Sequence, residues 1–185
     1  MADMMFPISF TDLMRWIDVE LSQRKSIFGL PEELFFRPSP TDPFRMIQAG
    51  EALDNPLGVA AGPQTQLAQN IIVAWLAGAR FIELKTVQVL DELEVTKPCI
   101  DMEDEGYNCE WSQELKLEQS FAEYLKAWIA IHRLQQKLGL PAERGFAFNM
   151  SVGYNLEGIQ GDRVQQFLDR MGDAEAAQKK MLEEA

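Results

Sequence analysis

LGVAAGPQTQLAQNIIVAWLAGARFIELKTV, residues 57–87, decides the fold. Leu57 to Ala61 is a short apolar run that ends at Gly62-Pro63, and residues 66–77 then carry apolar side chains at helical spacing. A second apolar run covers Phe81 to Val87. Strand, helix and strand in this order predict one βαβ unit, in which the two strands run parallel.

The sequence on the C-terminal side continues the same alternation. A long amphipathic helix is predicted from Glu114 to Leu138, and a third apolar run follows over Phe146 to Val152. A last helical pattern runs from Val164 towards Leu182 and is interrupted at Gly172. Parallel strands joined by crossover helices are typical of α/β folds, either doubly wound sheets or (β/α) barrels.

Three strands are too few for a complete barrel. A (β/α)8 TIM barrel needs about 250 residues, whereas this chain has 185. We therefore expect Leu57–Ala61, Phe81–Thr86 and Phe146–Ser151 to be parallel neighbours in that order, with helices outside. They would belong either to a small open α/β sheet or to part of a larger barrel.

Residues 1–54 are predicted to form an extension before this unit. A helix is expected over Phe10 to Leu21, a proline-rich loop with one helical turn over Gly29 to Pro43, and a short hairpin on either side of Gly50. The predicted division is therefore 1–54 for the helix, loop and hairpin, and 55–185 for three βα units.

Charge and composition exclude several classes of partner. Lys and Arg number 17 against 29 Asp and Glu, so the net charge is −12, the wrong sign for binding nucleic acid or an anionic membrane surface. No apolar run approaches the roughly 20 residues that span a bilayer, and MADMMFPISF lacks the features of a signal peptide. We expect a cytoplasmic protein in which Cys99 and Cys109 are reduced and inert, and no metal site.

Two motifs resemble the dihydroorotate dehydrogenase superfamily. Residues 55–63, NPLGVAAGP, are similar to the first-strand signature that runs under bound FMN in that superfamily, and residues 81–86, FIELKT, resemble its second-strand motif with a flavin-contacting lysine. Their order and spacing make the pair more specific than either motif alone. The resemblance implies a dihydroorotate dehydrogenase-like TIM barrel, of which this chain would supply the first three βα units.

A narrower resemblance covers nearly the whole chain. QLAQN at 66–70, ELKTVQ at 83–88, KPCID at 97–101 and YLKAW at 124–128 look like the N-terminal region of selenate reductase subunits. These are large iron–sulfur flavoproteins, also described as glutamate synthase-like and related to dihydropyrimidine dehydrogenase. The resemblance implies FMN in the complete barrel, with FAD and iron–sulfur clusters in domains absent here.

The resemblance also implies which residues hold the flavin. Ala60, Ala61 and Gly62 would let a planar ring lie close to the backbone; the alternative is ordinary tight packing between strand and helix. Lys85 would stabilise negative charge on the flavin N1/C2 edge, with the hydroxyl of Thr86 nearby. The alternative is a lysine that reaches solvent or pairs with Glu83 on the same strand face.

Two asparagines are candidates for binding substrate. The position of Asn108 resembles an asparagine that contacts substrate in dihydroorotate dehydrogenases, although a turn asparagine that supports its own backbone is an equal alternative. Asn149 and Ser151 share one face of the third strand, which indicates a polar barrel interior or a hydrogen-bonded core pair. The catalytic base of the superfamily follows a fourth strand, so no catalytic residue is assigned in this stretch.

The sequence supports two functions from different classes. The first is the N-terminal FMN-barrel portion of a cytoplasmic iron–sulfur flavoprotein oxidoreductase that acts on a small substrate, inactive as this chain alone. The second is a non-catalytic assembly or docking module, because an unfinished barrel exposes a sheet edge and helix faces. That surface would require the rest of the barrel, a partner chain or self-association.

Overall fold

The computed structural model describes residues 5–91, 100–101, 107–108 and 114–184. The helices in these ranges are α1 Phe10–Arg24, α2 Ala68–Leu76, α3 Leu117–Lys137, α4 Leu156–Gln160, α5 Asp162–Gly172 and α6 Glu175–Glu183. The strands are β1 Ser26–Ile27, β2 Leu30–Pro31, β3 Met46–Gln48, β4 Glu51–Leu53, β5 Gly58–Val59, β6 Phe81–Glu83, β7 Ile100–Asp101, β8 Tyr107–Asn108 and β9 Ala147–Asn149. Both cysteines lie outside the described residues.

One parallel sheet organises the chain. Its strand order is β5-β6-β9, with Val59 paired to Ile82 and Ile82 paired to Phe148. The three predicted strands are therefore parallel neighbours in the predicted order, although each is shorter than the apolar run that predicted it. Within the described ranges the sheet does not close into a barrel.

One face of the sheet is covered by α2 and α3. Ile82 and Leu84 are fully buried there, and Val59 and Phe148 pack against the same core. The helix α1 joins this core through Leu13 and Ile17, among other residues. The other face carries Gly58, Phe81, Glu83 and Asn149, which are half-buried or exposed. Alternation along the strands thus separates an apolar helix-covered face from a more polar face, as parallel strands of a barrel require.

The N-terminal extension contains an element that the sequence did not predict. The predicted helix begins as expected, since the Asp12 amide donates to Oγ of its N-cap Ser9 at 3.0 Å, and the predicted hairpin is β3–β4. A second hairpin, β1–β2, turns through Phe28 and Gly29 with positive φ at both. The Glu20 carboxylate accepts both turn amides, at 2.6 and 2.9 Å.

The hydrogen bonds to Glu20 offset the conformational strain at Phe28, because a residue with a side chain rarely adopts the positive φ that glycine adopts readily. Burial alone would raise the pKa of Glu20, but hydrogen bonds from Gly29, Ser26 and Phe28 outweigh it and lower the pKa overall. The carboxylate is thus held in the charged form that the turn amides need.

A buried ion pair joins the extension to the sheet. Arg80 Nε lies 3.0 Å from Asp54 Oδ2, and Arg80 is 1% exposed. The guanidinium also donates to the Trp75 carbonyl at 2.8 Å and lies 4.6 Å from the Phe36 ring centroid. Because Asp54 follows β4 and Arg80 precedes β6, this pair ties the hairpin to the amino-terminal end of the parallel sheet.

The described ranges contain no helix long and apolar enough to cross a bilayer. The longest helix, α3, has 21 residues, but it carries charged side chains such as Glu123, Lys126 and Arg133 along its length. A bilayer span requires a stretch that is apolar all round.

Gly58 is required by the close approach of β5 to β6. A Cβ atom built at Gly58 would lie 2.8 Å from the Phe81 carbonyl oxygen, a backbone atom that cannot move away cheaply. We expect Gly58→Ala to lower the free energy of unfolding by about 1–3 kcal/mol, measured by urea denaturation. Gly172→Ala is the control, because nothing lies within 4 Å of its added Cβ; a loss as large in the control would contradict this explanation.

His132 makes stability depend on pH. Its ring lies 4.8 Å from the Trp128 ring and 5.5 Å from the Phe146 ring, and burial lowers its pKa below the ordinary 6.5, opposed by a hydrogen bond with Gln135. As the pH falls, His132 is therefore protonated at a higher pH in the unfolded chain than in the folded chain. The free energy of unfolding consequently decreases as the pH drops below about 6.5. We expect thermal unfolding of His132→Leu to lose this part of the pH dependence, whereas an unchanged profile would exclude His132 as its source.

Candidate functional site

The predicted flavin-binding residues and Asn149, a predicted substrate-binding residue, lie at the carboxyl edge of the parallel sheet. Ala60, Ala61 and Gly62 follow β5, Lys85 and Thr86 follow β6, and Asn149 is the last residue of β9. Parallel strands end at the same edge, and this is the edge where barrel enzymes place their active sites. The fold thus brings these six residues to one end of the sheet.

Asn108 is described by its backbone alone. It lies in β8, paired antiparallel with Ile100 of β7. The contact between its side chain and substrate stays a prediction.

A bulge lies at Lys85 and Thr86. The Leu84 amide donates to the Asn149 carbonyl at 2.8 Å, and the next ladder bond on this strand is from the Val87 amide to the Ser151 carbonyl at 3.2 Å. Between these two hydrogen bonds the chain advances by three residues on the β6 side but by only two residues on the β9 side. Bulges interrupt the alternation of side chains and are common beside active sites, where they redirect a side chain.

The backbone of Lys85 is fixed from two sides. Its carbonyl accepts the Tyr124 hydroxyl at 2.8 Å, and its amide donates to the Thr65 carbonyl at 3.4 Å. Tyr124 is 1% exposed on α3, and burial raises the pKa of its hydroxyl, so it remains a neutral donor. The helix α3 and the turn before α2 thus hold the bulge in place.

Lys85 is buried, with 6% of the residue exposed. A lysine that simply reaches solvent, one of the two alternatives considered from the sequence, does not fit this burial. A buried ammonium is costly unless anionic or polar groups surround it, and such groups make a buried lysine a useful source of positive charge.

The first strand presents a face without bulky side chains. Gly58 and Ala60 are exposed and lie on the side opposite the core. The turn after them is closed by its own bonds, since the Gly62 amide donates to Thr65 Oγ1 at 3.2 Å and Gln64 Nε2 donates to the Ala60 carbonyl at 2.9 Å. The strand itself contributes only small side chains here, but Phe81 lies beside Gly58 and the Gln64 side chain lies against Ala60 and Gly62. Gln64 is exposed and must move aside before a planar group can reach this backbone.

Sequence reasoning missed Glu83 as a member of this site. Its Oε2 accepts the backbone amide of Ala61 at 3.2 Å, and the side chain is half-buried. From the sequence alone, the only role considered for Glu83 was pairing with Lys85. The sequence feature that could have indicated this contact is the acidic residue between Ile82 and Leu84, because a carboxylate in an otherwise apolar strand requires a polar partner.

A second group that the sequence missed is a buried polar cluster beneath the site. Glu123 Oε2 accepts the Ala68 amide at the start of α2 at 2.7 Å and forms an ion pair with Lys126. Gln66 donates to the Glu114 carboxylate nearby. The cluster satisfies a helix end that has no side-chain cap of its own, so it fixes α2 against α3 below the candidate site.

These features fit the isoalloxazine ring of FMN. Ala60 is small and exposed, the Ala61 amide is a hydrogen-bond donor, and Lys85 lies at the same edge, so a ring would fit once the exposed Gln64 side chain moves aside. The Ala61 amide is engaged by Glu83, so a ring oxygen could take this donor only by exchange.

Comparisons with known proteins identify the family of this chain and agree with a TIM-barrel type of fold. The family model described as the N-terminal TIM-barrel domain of oxidoreductase YgfK matches residues 28–184. The YgfK proteins of Escherichia coli K12 and O157:H7 are each 54% identical over 176 residues, which cover 94% of this chain and 17% of each relative. The chain therefore spans about a sixth of the length of these relatives.

Proposed function

This chain belongs to the family of N-terminal TIM-barrel domains of YgfK-type oxidoreductases, and from this membership we propose that it supplies part of an FMN-binding site. The site would serve an oxidoreductase that acts on a small substrate in the cytoplasm. The observation that supports the proposal is that the buried Lys85 follows β6 at the same carboxyl edge of the sheet as the small residues that follow β5.

The residues that would hold FMN are Ala60, Ala61, Gly62, Lys85 and Thr86. When bound, FMN supplies the capacity to accept and release a hydride equivalent, while the protein supplies orientation and electrostatics. The backbone after β5 would support the ring, because its side chains there are small. The hydroxyl of the half-buried Thr86 would contribute a further polar group.

Lys85 would provide positive charge where negative charge develops. A charge fixed before the reaction costs no reorganisation during it, and burial strengthens its effect. The hydrogen bonds of the Lys85 backbone with Tyr124 and Thr65 fix the position of the backbone from which the side chain extends. On the substrate side, Asn108 and Asn149 would donate or accept hydrogen bonds, and Asn149 is exposed at the carboxyl edge.

The resemblance to selenate reductase subunits and glutamate synthase-like flavoproteins extends the proposal to the whole protein. FAD and iron–sulfur clusters would lie in further domains and exchange electrons with this barrel. The catalytic base would also lie outside this chain, so the 185-residue chain alone is expected to show no substrate-dependent flavin reduction.

A steric variant tests the flavin site. We expect the protein, purified as its gene encodes it, to release FMN on denaturation, identified by chromatography. Ala60→Trp should abolish FMN binding without unfolding the protein, because Ala60 is exposed and an indole would fill the face on which the ring lies. Ala142→Trp, also exposed, is the matched control. FMN content equal in both variants, or no FMN in the unmodified protein, would refute the proposal.

The second candidate function, an assembly module, is favoured by one observation. A cavity of about 390 Å³ lies beside β9, lined by apolar residues of the sheet, α3 and α5, including Leu84, Trp128, Phe148 and Met171. Its natural occupant would be polypeptide that supplies further strands and helices of the barrel. Sedimentation of the 185-residue chain tests this function: association that disappears in Met171→Lys supports it, and a monomer at all concentrations opposes it.

A further inference from the structure

Among the described residues of the candidate flavin site, only Ala61 has a backbone amide that donates a hydrogen bond to a side chain of another strand. Gly62 bonds within its own turn, to Thr65, three residues away. Ala61 instead donates to the carboxylate of Glu83, which lies 22 residues away in the sequence, on β6. A carboxylate oxygen is the same kind of acceptor as the carbonyl oxygen of a planar heterocycle.

The Glu83 contact is well suited to exchange. Its N···O distance of 3.2 Å is at the long end of the range for amide hydrogen bonds. Because Glu83 is half-buried, its carboxylate can rotate into water without the penalty that a fully buried charge would meet.

A displaced carboxylate would also have a polar neighbour. Asn149 is the in-register partner of Glu83 on β9, and its side chain is exposed on the same face of the sheet. Paired residues on adjacent strands lie about 5 Å apart, within reach of a hydrogen bond from the Asn149 amide group to a rotated Glu83.

We propose that Glu83 and the flavin compete for the Ala61 amide. An oxygen on the edge of the isoalloxazine ring takes the Ala61 N–H, and the Glu83 carboxylate moves towards Asn149. The competition weakens flavin binding and keeps a negative charge close to the ring. This inference rests on the proposed FMN site, and it assigns to Glu83 a role in setting affinity rather than in chemistry.

Titration of the flavin-depleted, full-length protein with FMN tests the competition. Removing the competitor in Glu83→Ala should tighten FMN binding about fivefold, the factor for one ordinary hydrogen bond, measured by quenching of flavin fluorescence. Glu83→Gln keeps a neutral acceptor, so its affinity for FMN should lie between that of Glu83→Ala and that of the unmodified protein. Glu33→Ala, an exposed acid on the extension, is the matched control and should bind as the unmodified protein does.

Hydrogen exchange gives a readout that does not depend on activity. In a peptide covering residues 57–65, Glu83→Ala should exchange faster than the unmodified protein before FMN is added, because the Ala61 amide loses its acceptor. After FMN is added, the two proteins should exchange equally.

The other possible results of the titration contradict either the competition or the flavin site. Equal FMN affinity in Glu83→Ala and the unmodified protein would refute the competition and leave the flavin site intact. Weaker binding by Glu83→Ala would show that Glu83 holds the flavin, which is the opposite role. Absence of FMN binding in every variant would refute the flavin site itself, and the competition with it.

Discussion

Lys85→Met is expected to slow flavin reduction by substrate about 100-fold or more in the full-length protein, the effect typical of removing one well-placed donor from such a site. Methionine keeps a long flexible stem, so packing at the 6%-exposed position should survive while the charge is lost. FMN content should fall much less than the rate. Stopped-flow measurement of the reductive half-reaction separates the two effects.

The control for this prediction is Lys179→Met, which removes one positive charge from the exposed surface of α6. Its rate should match that of the unmodified protein. If Lys85→Met reduces its flavin normally, Lys85 is a structural residue and the flavin site loses its electrostatic component. An equal defect in both variants would point to net charge rather than to position.

Asp54→Asn is expected to lower the free energy of unfolding by about 3–5 kcal/mol, since it leaves the buried Arg80 guanidinium without its counter-charge. Arg80 is 1% exposed, and burial already lowers its pKa against the opposing effect of Asp54. Urea denaturation followed by circular dichroism measures the loss.

Three further variants identify the cause of that loss. Glu143→Gln removes an exposed ion pair with Arg45 and should cost no more than about 1 kcal/mol. Asp54→Leu combined with Arg80→Met removes both charges, so the double variant should be more stable than Asp54→Leu alone. A loss below 1 kcal/mol in Asp54→Asn would mean that the ion pair does not hold the hairpin to the sheet.

The order of the parallel strands was predictable from the sequence. Apolar runs at Leu57–Ala61, Phe81–Thr86 and Phe146–Ser151, separated by helical patterns, indicated parallel neighbours, and the structure confirms them. The boundaries were less accurate, since the regular strands end at Val59, Glu83 and Asn149. Apolar character marks burial, and it continues past the last ladder bond into loops that pack on the core.

The small residues and the lysine of the candidate site were also visible in the sequence. Ala60 and Lys85 stand at recognisable positions in short motifs, and the fold brings them to one edge of the sheet. The bulge was not predictable, because it depends on the pairing of Leu84 with Asn149 and of Val87 with Ser151, which are more than 60 residues apart in the sequence. Nothing in the local pattern of Leu84-Lys85-Thr86 encodes that register.

The sequence by itself determined the main elements: the three parallel strands, the helices α1, α2, α3 and α5, and which side of each strand is apolar. It did not indicate the hairpin β1–β2 or the short helix α4. The main elements depend on interactions between residues a few positions apart, which periodicity and propensity record directly. Only the tertiary structure decided the partners of charged side chains, such as Arg80 with Asp54, 26 residues apart, and Glu83 with the Ala61 amide, 22 residues apart. A buried charge is stable next to any suitable group that the fold brings within about 3 Å. Which group that is depends on packing in three dimensions, and so composition and spacing do not specify it.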